Sequence, residues 1–168
     1  MTPKINDKLI YGLEGPCKVT DTTKREFQGK NQKYLVLTPI FNEKVNIFVP
    51  LFNEELFNRM RPIVSKKVIM SNIVDIPTRE CKWPENDEER KTFILDTIIN
   101  GKARDIVRLI KTLYLQEEKQ RKSLKKLHLA DERNFKELEK VLFGIFAASF
   151  NITPEEVPAK IKELLKKK

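Results

Sequence analysis

Trp83 is the only tryptophan in the chain, and its neighbours make it the first residue to weigh. It lies in the proline-flanked stretch Asp75-Ile76-Pro77-Thr78-Arg79-Glu80-Cys81-Lys82-Trp83-Pro84, with Arg90 and Lys91 a turn or two beyond it. An indole exposed among cations can wedge or stack against an unpaired base, worth about 1–3 kcal/mol, while Arg79, Lys82, Arg90 and Lys91 neutralise phosphate. The same residue can serve as a core anchor, the commoner use of a lone tryptophan. The acidic run Asp87-Glu88-Glu89 also opposes a phosphate backbone. Residue types alone leave both readings open.

Catalytic chemistry has less to work with. Acid–base catalysis or a triad would draw on the single histidine, His128, but its setting, Lys126-Leu127-His128-Leu129-Ala130-Asp131, reads as an interhelical turn. No GxGxxG or GxxxxGK[ST] cradle is present, and the five glycines fall at turns. Asp87, Glu88 and Glu89 sit where a helix N-terminus favours negative charge. Cys17 and Cys81 stand far apart with no CxxC or Cys/His cluster, so no metal is expected, and they read as two buried thiols in a reducing compartment. The sequence points away from an enzyme and calls for no cofactor.

A net charge of +9 draws the chain toward polyanions without separating DNA, RNA and anionic membrane. No run of about 18 apolar residues occurs, and the first residues lack the continuous apolar stretch of a signal peptide. The expectation is a cytoplasmic monomer with no membrane partner.

The elements that must position these residues fall into two halves. Alternation through Lys8–Tyr11, Cys17–Thr20, Lys33–Leu37 and Val45–Val49, with polar linkers at 28–32 and 42–44, predicts hairpins. A short sheet removes its edges by curling, so residues 1–63 are expected to form a small SH3/Tudor-like β-barrel. Residues 51–60 allow a helical turn or two, and Met60–Val64 a last strand. The period then becomes helical, predicting an all-α bundle over 64–168 and an α+β chain overall. Ser65 is the expected N-cap of a helix through Val74. A second helix starts near Asn86 or Asp87 and ends at Gly101, read as a left-handed cap. A third spans about Lys102 to Arg121, with Ile106, Leu109, Ile110, Leu113 and Tyr114 inward and Arg104, Arg108 and Lys111 outward. A fourth runs from about Asp131, its N-cap, to Phe150, with Phe135, Leu138, Leu142, Ile145 and Phe146 inward. Thr153-Pro154-Glu155-Glu156 has the form of a capping box, with Pro158 marking a kink or a later start.

In the β half, Arg25 lies in Lys24-Arg25-Glu26-Phe27, at the end of a strand-rich surface of a kind that binds partners by strand addition. As a residue it reads equally as a solvated charge.

The stretch Asp7 to Pro50 resembles the RNA polymerase-interacting domain of the CarD/CdnL family, shared with the transcription-repair coupling factor. The resemblance rests on Tyr11, Gly15, Val19, Arg25, Gly29, Lys33-Tyr34-Leu35-Val36-Leu37 and Val49-Pro50. The second half is similar to the family form common among Firmicutes, through Trp83, Asp87, Arg90-Lys91, Gly101, Leu109–Tyr114 and Lys126–Arg133. The resemblance implies a Tudor-like domain that grips the RNA polymerase β subunit. It also implies a helical domain at the upstream edge of the promoter bubble, without sequence-specific readout, where the tryptophan wedges into the minor groove. Arg25, Phe48 and Pro50 are then the expected polymerase-binding residues, and Trp83, Arg90 and Lys91 the DNA-binding ones, to which the cationic setting of the tryptophan adds Arg79 and Lys82. Two positions depart from the pattern. Phe48 stands where a second basic polymerase contact is expected, and Pro84–Glu89 is more acidic than its counterparts.

The sequence is thus read as a non-catalytic regulator that binds polymerase and stabilises the open promoter complex. The alternatives are a polymerase adaptor with Trp83 buried and no DNA contact, or an RNA-binding barrel.

Overall fold

Strand-forming sequence gives way to helix-forming sequence between Pro50 and Ser65, and the chain divides into two compact units, Met1–Ile63 and Val64–Lys168. The computed structural model describes residues 3–123 and 129–166, side chains at 27 and 120–135 excepted. His128 and the side chain of Phe135 therefore lie outside what is described.

The first unit is a five-stranded antiparallel sheet: β1 (Lys8–Tyr11), β2 (Pro16–Phe27), β3 (Lys30–Pro39), β4 (Ile47–Pro50) and β5 (Met60–Pro62). Their order is β4-β3-β2-β1-β5. A short helix, α1 (Glu54–Asn58), follows β4 and contacts both β4 and β5, the two outermost strands. Asn53 caps it by accepting from Leu56 N at 3.0 Å. One sheet face buries Leu9, Cys17, Val19, Leu35, Leu37 and Val49, against which Tyr11, Ile47, Leu51, Leu56 and Met60 pack. Each fully buried aliphatic side chain there contributes about 1.5–3 kcal/mol. Burial, aided by the charge of Glu14, pushes the Cys17 thiol up to about 12, so it is an unreactive core residue.

The β2–β3 hairpin is longer than the expected linker at 28–32 allowed. Phe27 pairs with Lys30, leaving only Gln28 and Gly29 in the turn, both at positive φ (51° and 72°). That geometry matches the right-handed twist of the strands and lets pairing run to the hairpin tip. Two residues later than expected, β4 starts at Ile47, because Asn42 and Val45 close a backbone turn of their own (3.3 Å).

The second unit holds α2 (Lys66–Asp75), α3 (Asp87–Asn100), α4 (Ala103–Ser123), α5 (Leu129–Phe150) and α6 (Val157–Lys166). Helix α4 touches each of the other four, and Ile106, Leu109, Ile110, Leu113 and Tyr114 are all buried as their spacing requires. Ile69 and Ile73 of α2, Ile94 and Ile98 of α3, Leu142, Ile145 and Phe146 of α5, and Val157, Ile161 and Leu164 of α6 complete the core. Ser65 caps α2 through Val68 N at 3.3 Å. Thr153 and Glu156 form the reciprocal capping box, and α6 starts at Val157, which places Pro158 harmlessly in its first turn. No helix among the described residues is long and apolar enough to cross a membrane.

Three expectations are corrected. Gly101 is extended (φ −65°, ψ 142°), not left-handed. Glycine is needed there for space, since a Cβ would stand 2.4 Å from the Thr97 carbonyl oxygen. Helix α5 begins at Leu129, which puts Asp131 inside its first turn rather than before it. Lys111, read as pointing outward, is 5% exposed.

Candidate functional site

On β2 the core face carries Cys17 and Val19, and simple alternation would keep every later odd position, Arg25 included, on that face. A β-bulge intervenes. Val19 pairs with Leu37 and Asp21 with Val36, so Thr20 is the extra residue and the parity of the strand reverses beyond it. Arg25 then pairs with Gln32 and lies on the outer face, with Asp21 and Thr23. Phe48 pairs with Val36 and Pro50 with Tyr34, which puts both on that same outer face, opposite buried Val49. The guanidinium carbon of Arg25 lies 3.5 Å from the Phe48 ring centroid, a cation–π contact that holds the charge over the β4 edge of the sheet.

The structure thus brings Arg25, Phe48 and Pro50 to one face. It adds two residues the sequence reading missed: Tyr34 and Phe52 meet edge to face at 6.1 Å. Phe52 is 48% exposed, and Phe41 and Val45, which precede β4, are 43% and 41% exposed. Strand β4 pairs with β3 on one side only. An edge strand flanked by exposed apolar side chains is chemistry suited to another protein's strand. A run of Phe41, Val45 and Phe52 around a strand was the available signal in the sequence.

In the second unit, Trp83 lies between a 3₁₀ turn (Thr78–Glu80) and α3, in a segment whose backbone is stiffened by Pro77 and Pro84. Trp83 is half-buried, and Arg79, Lys82 and Lys91 are exposed around it. Cys81 is only partly buried, with its thiol 3.9 Å from the Pro77 carbonyl oxygen, whereas the sequence reading placed both thiols in a core.

Arg90 does something different from its basic neighbours. Its side chain is 15% exposed, and its Nε and Nη2 donate to the Pro84 carbonyl at 3.1 and 3.0 Å. Nη2 also donates to the Glu85 carbonyl at 2.9 Å, and Nη1 pairs with Asp87. The guanidinium stacks 5.0 Å from the Trp83 ring. One arginine therefore binds the loop backbone and braces the indole. The acidic run does local work as well: Asn86 accepts from Glu88 N and Glu89 N at 2.9 and 3.2 Å, and the carboxylates occupy the first turn of α3, where the helix dipole favours them.

Residues 79–91 carry four cations (Arg79, Lys82, Arg90, Lys91) and five carboxylates (Glu80, Glu85, Asp87, Glu88, Glu89). The segment is therefore not a positive clamp, and any contact with a polyanion must depend on a few placed cations and the indole. No group of three or more His, Cys, Asp or Glu among the described residues is placed to hold a metal ion.

Residues 4–64 match the family model described as the CarD-like/TRCF RID domain. No curated protein matches the chain. The match covers the whole five-stranded sheet, including the bulge, the hairpin and the outer face that presents Arg25, Phe48 and Pro50. The N-terminal unit is therefore similar to the CarD-like/TRCF RID domain, a domain of transcription-related proteins of the RNA polymerase-interacting kind.

Proposed function

We propose that the chain is a non-catalytic regulator of transcription initiation that holds the polymerase β subunit with its sheet unit and the upstream fork of the open promoter with its helical unit. The observation that carries this reading is the pairing of a matched polymerase-interacting sheet with a proline-bracketed segment that offers a braced indole. Polymerase binding is assigned to the outer face, through Arg25, Phe48 and Pro50, with a strand of the β subunit adding to the free edge of β4. Phe48 replaces a second cation and instead fixes the one that remains, Arg25.

At the fork, Trp83 is assigned the wedge, stacking at the junction where bases unpair and slowing bubble collapse. Arg79, Lys82 and Lys91 are assigned phosphate contacts, and Arg90 the bracing of the indole. With three such cations, log affinity for DNA is expected to fall with log salt at a slope of about −2 to −3. The decisive experiment is the lifetime of open complexes on a promoter with purified polymerase, with wild-type protein and with Trp83→Ala. A longer lifetime that vanishes in the mutant, while β-subunit binding persists, supports the wedge.

A second reading is favoured by the half-burial of Trp83 and the local excess of carboxylates: a polymerase adaptor whose helical unit binds protein and not DNA. Unchanged lifetimes with wild-type protein bound to the β subunit would select it.

A further inference from the structure

Lys111 is the one lysine buried among the described residues, and it interrupts the inward-facing run of α4 between Ile110 and Leu113. A buried ammonium is costly unless its donors are engaged. Here Nζ donates to the carbonyls of Ile73 at 2.7 Å and Ile76 at 2.8 Å. Those carbonyls lie in the last turn of α2 and just past it, where helix geometry leaves oxygens without partners and the dipole favours a cation. Pro77 follows at once, and with it the segment that carries Trp83.

A second tie comes from the same helix. Arg104 Nη1 donates to Asn72 Oδ1 at 3.2 Å, and Nη2 lies 3.6 Å from the Glu80 carboxylate. The departure of the chain from α2 and the 3₁₀ turn before Trp83 are thus both fastened to α4, while Arg90 of α3 holds the far side at Pro84 and Glu85. An apolar side chain at position 111 could pack the same stripe, but it would leave the Ile73 and Ile76 carbonyls unpaired and the exit angle of the chain unset.

We propose that Lys111 is a positioning residue for Trp83: it sets where the indole stands by fixing the end of α2, with Arg104 as a weaker second tie. This rests on Trp83 being the side chain that meets the fork. Because Trp83 is the only tryptophan, its fluorescence in the free full-length protein reports its placement directly, independently of DNA.

The test compares Lys111→Met, Arg104→Glu and the charge swap Glu80→Arg/Arg104→Glu with the wild type and Trp83→Ala. Each is measured by circular dichroism, acrylamide quenching of Trp83 in the free protein, β-subunit binding and open-complex lifetime. Lys111→Met is expected to stay helical and bind the β subunit normally, to change the quenching constant, and to lose roughly tenfold of the lifetime gain, the weight of a charge-assisted hydrogen bond. Arg104→Glu is expected to lose about twofold, as an exposed pair does, and the swap to restore both quenching and lifetime. A folded Lys111→Met protein with wild-type quenching and lifetime overturns the proposal. If Lys111→Met does not fold, Lys111→Gln, which keeps a shorter amide donor, decides: an altered quenching constant in the folded variant supports the proposal, and a wild-type constant overturns it. If Trp83→Ala itself leaves the lifetime unchanged, the fork contact fails as a reading, while quenching still decides whether Lys111 places the indole.

Discussion

The outer face of the sheet and the Trp83 segment hold their side chains in place by opposite means. On the sheet, Arg25 and Phe48 sit on regular strands, and their shared face follows from backbone pairing and one extra residue at Thr20. Around Trp83 there is almost no repeating structure. Position comes instead from side chains that reach backbone carbonyls: Arg90 to Pro84 and Glu85, Lys111 to Ile73 and Ile76. A face built by pairing tolerates loss of a side chain but not loss of register. A segment held by side-chain donors does the reverse, and single substitutions far from the indole should move it.

The sharpest way to break this contrast is to weaken the sheet itself. Leu37→Ala should destabilise the first unit by about 2–5 kcal/mol, because a fully buried side chain leaves a cavity. Urea denaturation should show the loss, with β-subunit binding falling as the sheet unfolds and the helical signal retained. A strand core that absorbed the change within about 0.5 kcal/mol would deny that pairing and packing carry this site.

Two glycines sharpen the comparison next. Gly101→Ala should cost about 1–3 kcal/mol through overpacking, although alanine accepts its backbone angles, because the new Cβ meets the Thr97 carbonyl at 2.4 Å. Gly29→Ala should cost about 1 kcal/mol for the opposite reason: the space is open, and the φ of +72° is strained. Thermal melts of the two variants would separate a demand for space from a demand for conformation.

The helical unit also carries a carboxyl held well above the usual carboxylate range. Burial, with a hydrogen bond and repulsion from Glu117, pushes the Glu139 carboxyl up to about 8, and the charge of Lys136 opposes this. Glu139 Oε1 is buried with no hydrogen-bond partner. The folded state therefore holds this proton more tightly than the unfolded chain. Its contribution to stability is complete below pH 4.5 and is lost as pH rises to about 8. Solvent around the partly exposed carboxyl reduces the effect to about 1–2 kcal/mol. Glu139→Gln should flatten this decline, matching wild type near pH 4 and exceeding it above pH 8 in denaturation midpoints.

The smallest effect concerns the outer face. A double-mutant cycle on Arg25→Ala and Phe48→Ala should give a stability coupling of about 0.5–1 kcal/mol, the value of an exposed cation–π contact. Both variants should weaken β-subunit binding while unfolding at nearly wild-type denaturant. A zero coupling would mean that Phe48 does not orient Arg25.

Much of the architecture was legible. Alternation through Lys8–Tyr11, Cys17–Thr20, Lys33–Leu37 and Val45–Val49 announced paired strands, and the Ile106–Tyr114 stripe a buried helix face, since periodicity needs no partner to be read. Ser65 and the Thr153–Glu156 box were legible because capping is a local competition for backbone donors. The bulge at Thr20 was hidden, because it depends on what β3 offers opposite. Lys111 left a signal that was not used: it stands four residues after buried Val107 and three before buried Tyr114, inside the apolar stripe. A charge at such a position asks where its partners are.

From its residues alone the chain determined two halves with different periods, the Ser65 cap and the Thr153–Glu156 capping box, the composition of its cores and the candidacy of Arg25 and Trp83. These follow from interactions within a few residues along the chain, or from the requirement that apolar surface be hidden. Tertiary structure alone decided that Arg25 faces Phe48, that Gly101 is needed for room, that Arg90 turns inward to the loop, and that Lys111 ties α4 to the end of α2. Each depends on a hydrogen bond, a ring contact or a steric clash set by the folded backbone, and for Lys111 the partners lie 38 and 35 residues away. Only a folded backbone brings such groups within reach.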